Sequence, residues 1–418
     1  MMKRKLFLAT AMLLFLTLSF MGTGIGKTKV VYWSHTYATA VDLTNVMIEE
    51  FMRENPDIEI VYDHVPHANF EPKLLAAFAA GTGPDAYWIG DWVMPKWIPF
   101  GLVESVDHTV WGVKSQEDFI RLFEPGALTA FIMKGKVWTG GISEYNTFSV
   151  FYNPKHFREA GIPLPSKSLP MTWKRFSEIA EKLTKFDAKG ARVRSGFEGV
   201  YGVPIWTVLL LEPQIRQLGG EIVDAEGRAK LTSKESIEAM RFWYELKTKY
   251  KATDPSFQID LLADFAKGRV SMLIAGPWAI SVIRSHNPEA DMAVMPLPVF
   301  EGGKRVTTLY AWAWFVNPKS TVKKEAWKFV RYLSTQPIRW WDKVRYIQPL
   351  TGIWPQLLAT EPLLETFIED FKYAQYEFRS RDYYEISEIH TRAFQRVVME
   401  NMKPEEALKI SQEEAEKL

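Results

Sequence analysis

The chain has 418 residues, with 51 Lys and Arg against 50 Asp and Glu, and no cysteine. So even a balance leaves no electrostatic footprint for nucleic acid or an anionic membrane. Without cysteine there are no disulfides and no lipid-modified cysteine, so stability rests on core packing. The 16 Trp, 16 Tyr and 26 Phe supply a core and still leave indole rings for a wet, amphipathic surface.

Residues 1–26 have the order of a secretory signal. Lys3, Arg4 and Lys5 are followed by an apolar run over 6–21 and by small residues at Gly22, Gly24 and Gly26. The run falls short of the ~20 residues of a membrane span. Cleavage after Gly26 or Gly24 is expected, with a retained N-terminal anchor as the alternative. The protein would then be secreted, to the periplasm or outside the cell, and soluble. Roughly 390 remaining residues imply two domains.

Residues 29–33 read as a strand and Ser34-His35-Thr36 as a polar loop. Leu43, Val46, Met47 and Phe51 repeat at helical spacing, Asn55-Pro56-Asp57 breaks that helix, and 58–62 reads as a second strand. The unit recurs: a helix over about 69–80, a turn at Gly81-Thr82-Gly83-Pro84-Asp85, and a strand over 86–89. Two strand–helix–strand units in succession predict a parallel sheet with right-handed crossovers. Ligands bind beyond the carboxyl ends of such strands, which puts Trp33, His35, Trp88, Asp91 and Trp92 on one rim.

Pro163, Pro165 and Pro170 then punctuate a linker before a helix that Thr172 would cap. Residues 196–204 read as loop and Gly219-Gly220 as a turn; a helix over about 233–249 has Thr232 and Glu235 at capping-box spacing. A helix over 261–267 leads into a buried strand over 270–275 that stops at Gly276-Pro277. Trp278 follows, either a core ring or a flat platform at a rim. A strand over 292–297 and a helix over 321–333 come next, and from Pro355 onward the reading is helical with breaks at Pro362 and Pro404.

No HExxH, nucleophile elbow, phosphate loop or cysteine nucleophile is present. His64 and His67 are three apart but lack an obvious third ligand, so no metal and no cofactor is expected. Carboxylates at Asp85, Asp91, Glu104 or Glu144 could pair as in a glycosidase only with the right separation. Tyr87 to Trp92 sets two indoles and an acid at a strand end, suited to a sugar's C–H face and its hydroxyls.

Five segments in order carry a resemblance: 80–86 before the aromatic strand end, 151–165 with MTWKRF after it, 218–236, 265–279 and VMPLP at 294–298. Together they resemble the extracellular solute-binding proteins of ABC importers, in the maltose-binding-protein-like sugar-binding family, over about 29–415. The resemblance implies an α/β, two-lobe periplasmic-binding-protein fold with a ligand cleft and a hinge crossed more than once. The first lobe would comprise 27–141 and 295–337, and the second 142–294 and 338–418 with the C-terminal helices. It implies a monomeric, non-enzymatic receptor that captures a carbohydrate between its lobes and docks on permease subunits in the membrane. Carried over by motif, the site would comprise Trp33 and His35 from the first-strand loop, Trp88 with Asp91, Glu144 and Tyr145 on the hinge side, and Trp278. Tyr310 and Trp312 stand where the family often has glycines, and Gln348 and Trp354 fall in second-lobe loops that reach the ligand. Arg175 replaces an acid usual near the cap of the MTW helix. The number of rings favours an oligosaccharide. The alternatives are a secreted carbohydrate-active hydrolase or lyase, or the same fold with a glycerol-phosphate, polyamine or amino-acid derivative as ligand.

Overall fold

The computed structural model describes residues 26–418. The expected signal, apart from Gly26, lies outside the described residues. Strand Thr28–His35 pairs parallel with Ile58–Val65, from Thr28 opposite Ile58 to His35 opposite Val65. Between them helix Ala38–Glu54 buries Leu43, Met47, Ile48 and Phe51. Asn55 ends that helix, because its side-chain amide bonds the Phe51 carbonyl at 2.7 Å and closes the last turn. Helix His67–Ala79 and a turn through Gly81 lead to Ala86–Gly90, which joins the other side of the first strand, also parallel. Asp85 sets that entry by accepting from the Val31 N–H at 2.8 Å and the Ser320 hydroxyl at 2.6 Å. The parallel sheet expected from two strand–helix–strand units is present.

Its next member comes from far along the chain. Strand Thr307–Val316 runs antiparallel to Ala86–Gly90, with Trp312 opposite Gly90 and Trp314 opposite Trp88. The same strand pairs antiparallel with Ile142–Thr147 and parallel with Ala374–Tyr376, which completes a six-stranded sheet. A second sheet has Ser149–Tyr152 at its centre, antiparallel to Met272–Ala275 and Ala293–Met295. The chain therefore changes sheets at Phe148, between two strands that are buried throughout. Helices Pro204–Gln217, Lys234–Thr248, Tyr383–Val398 and Pro404–Ala415 pack against one another, and Pro204–Gln217 also meets strand Thr307–Val316.

Thr172 caps helix Trp173–Leu183 as expected, accepting from the Arg175 N–H at 3.2 Å. The expected Thr232–Glu235 box does not form. Ser233 is the cap instead, accepting from the Ser236 N–H at 3.1 Å, one residue on. Strand Ala374–Tyr376 interrupts the tail that reads as helical; three residues are too few to show a strand period, and only pairing with Thr307–Leu309 makes them one.

Trp314 is buried against Trp340 with centroids 5.6 Å apart and donates its Nε1–H to the Tyr32 hydroxyl at 3.0 Å. Trp314→Ala should cost ~3–5 kcal/mol of stability in urea denaturation, from cavity and lost transfer together. A loss below ~1 kcal/mol would mean that this strand does not anchor the sheet.

Candidate ligand-binding site

The cleft begins at an absence of side chain. Gly90 stands opposite Trp312, and a Cβ built there would lie 1.9 Å from the Trp92 ring. Only glycine lets that indole fold back over the strand end. Trp92 then meets Trp312 edge to face at 5.0 Å. Trp312 also lies 4.9 Å from Trp88 and 4.6 Å from His35.

The opposite wall is built by helix Pro204–Gln217 and by the turn that follows strand Met272–Ala275. Helix Pro204–Gln217, opened by Pro204, presents Ile205, Trp206 and Leu209. Trp278 sits at the N-cap of helix Ala279–His286, just beyond strand Met272–Ala275. Its Nε1 would be 2.7 Å from a Cβ at Gly276, so this glycine too is required by a ring. Trp206 and Trp278 meet edge to face at 5.3 Å, and Trp278 donates to the Tyr310 hydroxyl at 2.9 Å.

These walls bound a cavity of about 330 Å³, which Tyr37, Glu144 and Tyr346 also line. A second cavity, of about 430 Å³, shares His67, Trp92, Ile205 and Trp312 with the first and continues to Glu71, Tyr384 and Glu388. The Tyr384 hydroxyl accepts from Trp92 Nε1 and donates to the Glu71 carboxylate, tying a wall ring to helix Tyr383–Val398.

Glu144 supplies the polar character of the first cavity. Its carboxylate is held by Asn146 Nδ2 at 2.7 Å and by no basic group, and burial raises it to about 7. Burial lowers His35 to about 3, with His67 adding to the effect, and burial lowers His67 as well, so both imidazoles are neutral. The His35 ring stacks on Trp88 at 4.5 Å.

Of the residues expected at the site, the structure gathers His35, Glu144, Trp278, Tyr310 and Trp312 around one cavity. Trp88 is the floor beneath them, 3% exposed, with its Nε1 bonded to Ser143 at 2.5 Å. The other five stand elsewhere. Trp33 lies on the strand with Lys73 over its ring at 4.5 Å. Asp91 is wholly buried, paired with Arg379 at 2.6 Å and accepting from the Ala311 N–H at 2.8 Å, so no oxygen is left for a ligand. Tyr145 and Trp354 belong to a separate cluster, both stacked on Phe371, at 4.5 and 5.4 Å. Gln348 is buried, donating to the Leu333 carbonyl and accepting from the Gln336 N–H.

Sequence reasoning did not place Tyr37, His67, Trp206, Leu209 or Tyr346 at the cleft. Pro204-Ile205-Trp206 sets a tryptophan two residues after a helix-opening proline, a looser relative of Pro277-Trp278 that could have drawn notice. Tyr346 carried no local signal.

A model of the bacterial extracellular solute-binding proteins matches residues 38–338. The chain is similar to a maltotriose-binding protein of Pyrococcus abyssi, 26% identical over 324 residues, covering 75% of this chain but 64% of that protein. An arabinooligosaccharide-binding protein of Halalkalibacterium halodurans is 23% identical over 291 residues, 66% of this chain and 60% of its own length. Among solved structures, an ABC substrate-binding protein from Listeria monocytogenes in complex with cycloalternan superimposes with a TM-score of 0.78 at 22% identity, covering 94% of this chain and 98% of that one. Maltose-bound MalE3 of T. maritima gives 0.77 at 21% identity, covering 93% and 99%. The architecture is thus the α/β periplasmic-binding-protein fold. With the family model spanning most of its length, the chain belongs to the bacterial extracellular solute-binding proteins.

Proposed function

We propose that this solute-binding protein captures a neutral oligosaccharide in the aromatic cleft and delivers it to the permease subunits of an ABC importer. The observation that carries this reading is the pair of adjoining cavities that share Trp92, Trp312 and Ile205, with Trp206 added to the wall of the first. Indole faces stack on the apolar C–H face of a pyranose, and successive rings need successive platforms. Glu144 would accept ligand hydroxyls, and Tyr37, Tyr310 and Tyr346 can both donate and accept. Relatives named for maltotriose and arabinooligosaccharides support the same ligand class.

Lobe closure would follow from ligand contacts with both walls. The first lobe would be 27–141 with 295–337, and the second 142–294 with 338–418. A two-walled receptor has no need of a bond-breaking step, and incubation with labelled oligosaccharides should return them intact. Shorter products would support the hydrolase or lyase instead.

A thermal-shift panel of mono- and oligosaccharides should yield oligosaccharide hits that raise the melting point by mass action. Trp312→Ala and Trp278→Ala should each weaken binding of the best hit by ~1–3 kcal/mol in calorimetric titration. Unchanged affinity in both folded variants would remove the rings from the site.

Glu144 ties pH to both binding and stability. Its folded value of about 7 lies above the ordinary 4.5, so between these values the folded state holds a proton the unfolded chain has lost. This contribution to stability is full below the ordinary value, declines as pH rises through about 7, and is absent above it. Hydroxyl binding runs the other way, because a carboxylate accepts more strongly than a carboxyl group. Raising the pH from about 5.5 to about 8, across the transition, should therefore tighten ligand binding while lowering the melting point of the ligand-free protein. Glu144→Gln should weaken both dependences; unchanged pH profiles would show that this carboxyl does not titrate in the cleft.

A further inference from the structure

Outside the cleft, four buried acids are neutralised by guanidinium groups, while Glu377, near Arg379, has no hydrogen-bond partner among the described residues. Asp91 pairs with Arg379, Asp370 with Arg305, Glu212 with Arg216 and Asp264 with Arg269. Glu198 instead takes hydrogen bonds from the hydroxyls of Ser195, Tyr201 and Thr253 and from the Asp254 N–H. The two carboxylates in the cleft walls have no guanidinium partner and one hydrogen bond each. Glu144 is held by Asn146 alone and Glu71 by the Tyr384 hydroxyl. Lys96, which acts on Glu71 at a distance, lies 3.9 Å from Glu385, and among the described residues no Lys or Arg lines either cavity. His35 and His67 are neutral at physiological pH, so they do not offset the acids. The ring faces of Trp92, Trp206 and Trp312 add negative electrostatic potential. In a site walled by rings this imbalance is weakly screened.

We propose that the cleft selects saccharides by charge, excluding those that carry a carboxylate, phosphate or sulfate and holding an amine-bearing saccharide more tightly than its neutral counterpart. The inference rests on the saccharide reading above and goes further, because aromatic stacking alone would accept an acidic sugar as readily as a neutral one. An added acid group would meet Glu144 or Glu71 with no cation to receive it, whereas an ammonium would pair with either and face the rings.

The test uses the best neutral oligosaccharide from the panel, its derivative oxidised at the primary alcohol to a carboxylate, and its 6-amino-6-deoxy derivative. Affinities are measured by calorimetry at pH about 8, near the upper end of the titration range of shifted carboxyl groups. The carboxylate should bind at least about a hundredfold more weakly than the neutral compound, as expected for an uncompensated like charge. The amine should bind several-fold more tightly. Glu144→Gln or Glu71→Gln should recover about tenfold of the carboxylate's loss, with folding checked by circular dichroism. Equal binding of the neutral and acidic compounds would overturn the charge selection while leaving the saccharide reading intact. So would a gap that neither glutamine variant narrows, since the exclusion would then be steric. Failure of every saccharide to bind would overturn both.

Discussion

Strand Thr307–Val316 is buried along all ten residues, and its register determines where the rings of the cleft stand. It pairs with Ala86–Gly90, with Ile142–Thr147 and with Ala374–Tyr376. Tyr310, Trp312 and Trp314 alternate on one face of it, each with a different task. Trp314 joins the core through Tyr32, Trp312 forms a wall of the cavity, and Tyr310 receives the Trp278 indole from the other side. A slip of one residue would put Ala311 and Ala313 in these places and leave the cleft without a wall. The backbone ladder is therefore the constraint on which the geometry of the cleft depends.

Large rings around a small cavity need backbone without side chains beside them. Gly90 and Gly276 meet this need on opposite walls, each lying where a Cβ would strike the tryptophan two residues further on. Trp92 and Trp278 thus share one local device, a strand end followed by a glycine and a returning indole. It turns a buried strand into a rim without any long loop, and it holds the ring in place before a ligand arrives.

The polar groups divide along the same line. In the frame, Asp91 and Arg379 cancel each other where water is excluded, because an unpaired charge there would be costly. In the cleft, Glu144 keeps acceptor capacity that the protein does not use. Burial raises its proton affinity, so the site carries an electrostatic cost in the absence of a partner. Tyr384 joins the walls through Trp92 and Glu71.

Much of this was readable from residue order. Apolar periodicity located the parallel strands and their helices, Thr172 marked a helix start, and the Gly-Pro turn placed Trp278 at an edge. His35, Glu144, Tyr310 and Trp312 were reachable through family resemblance. Asp91 and Gln348 were misplaced for one reason: a polar residue near a rim looks the same in sequence whether it faces water or a buried partner. Asp91 meets Arg379 across 288 residues, and Gln348 is spent on the backbone of a neighbouring helix end. Composition and local pattern determined the class of fold and the supply of rings. Which rings face one another, and which acid is left unpaired, was decided only by strand pairing between distant segments, because such contacts depend on register and packing that no local window contains.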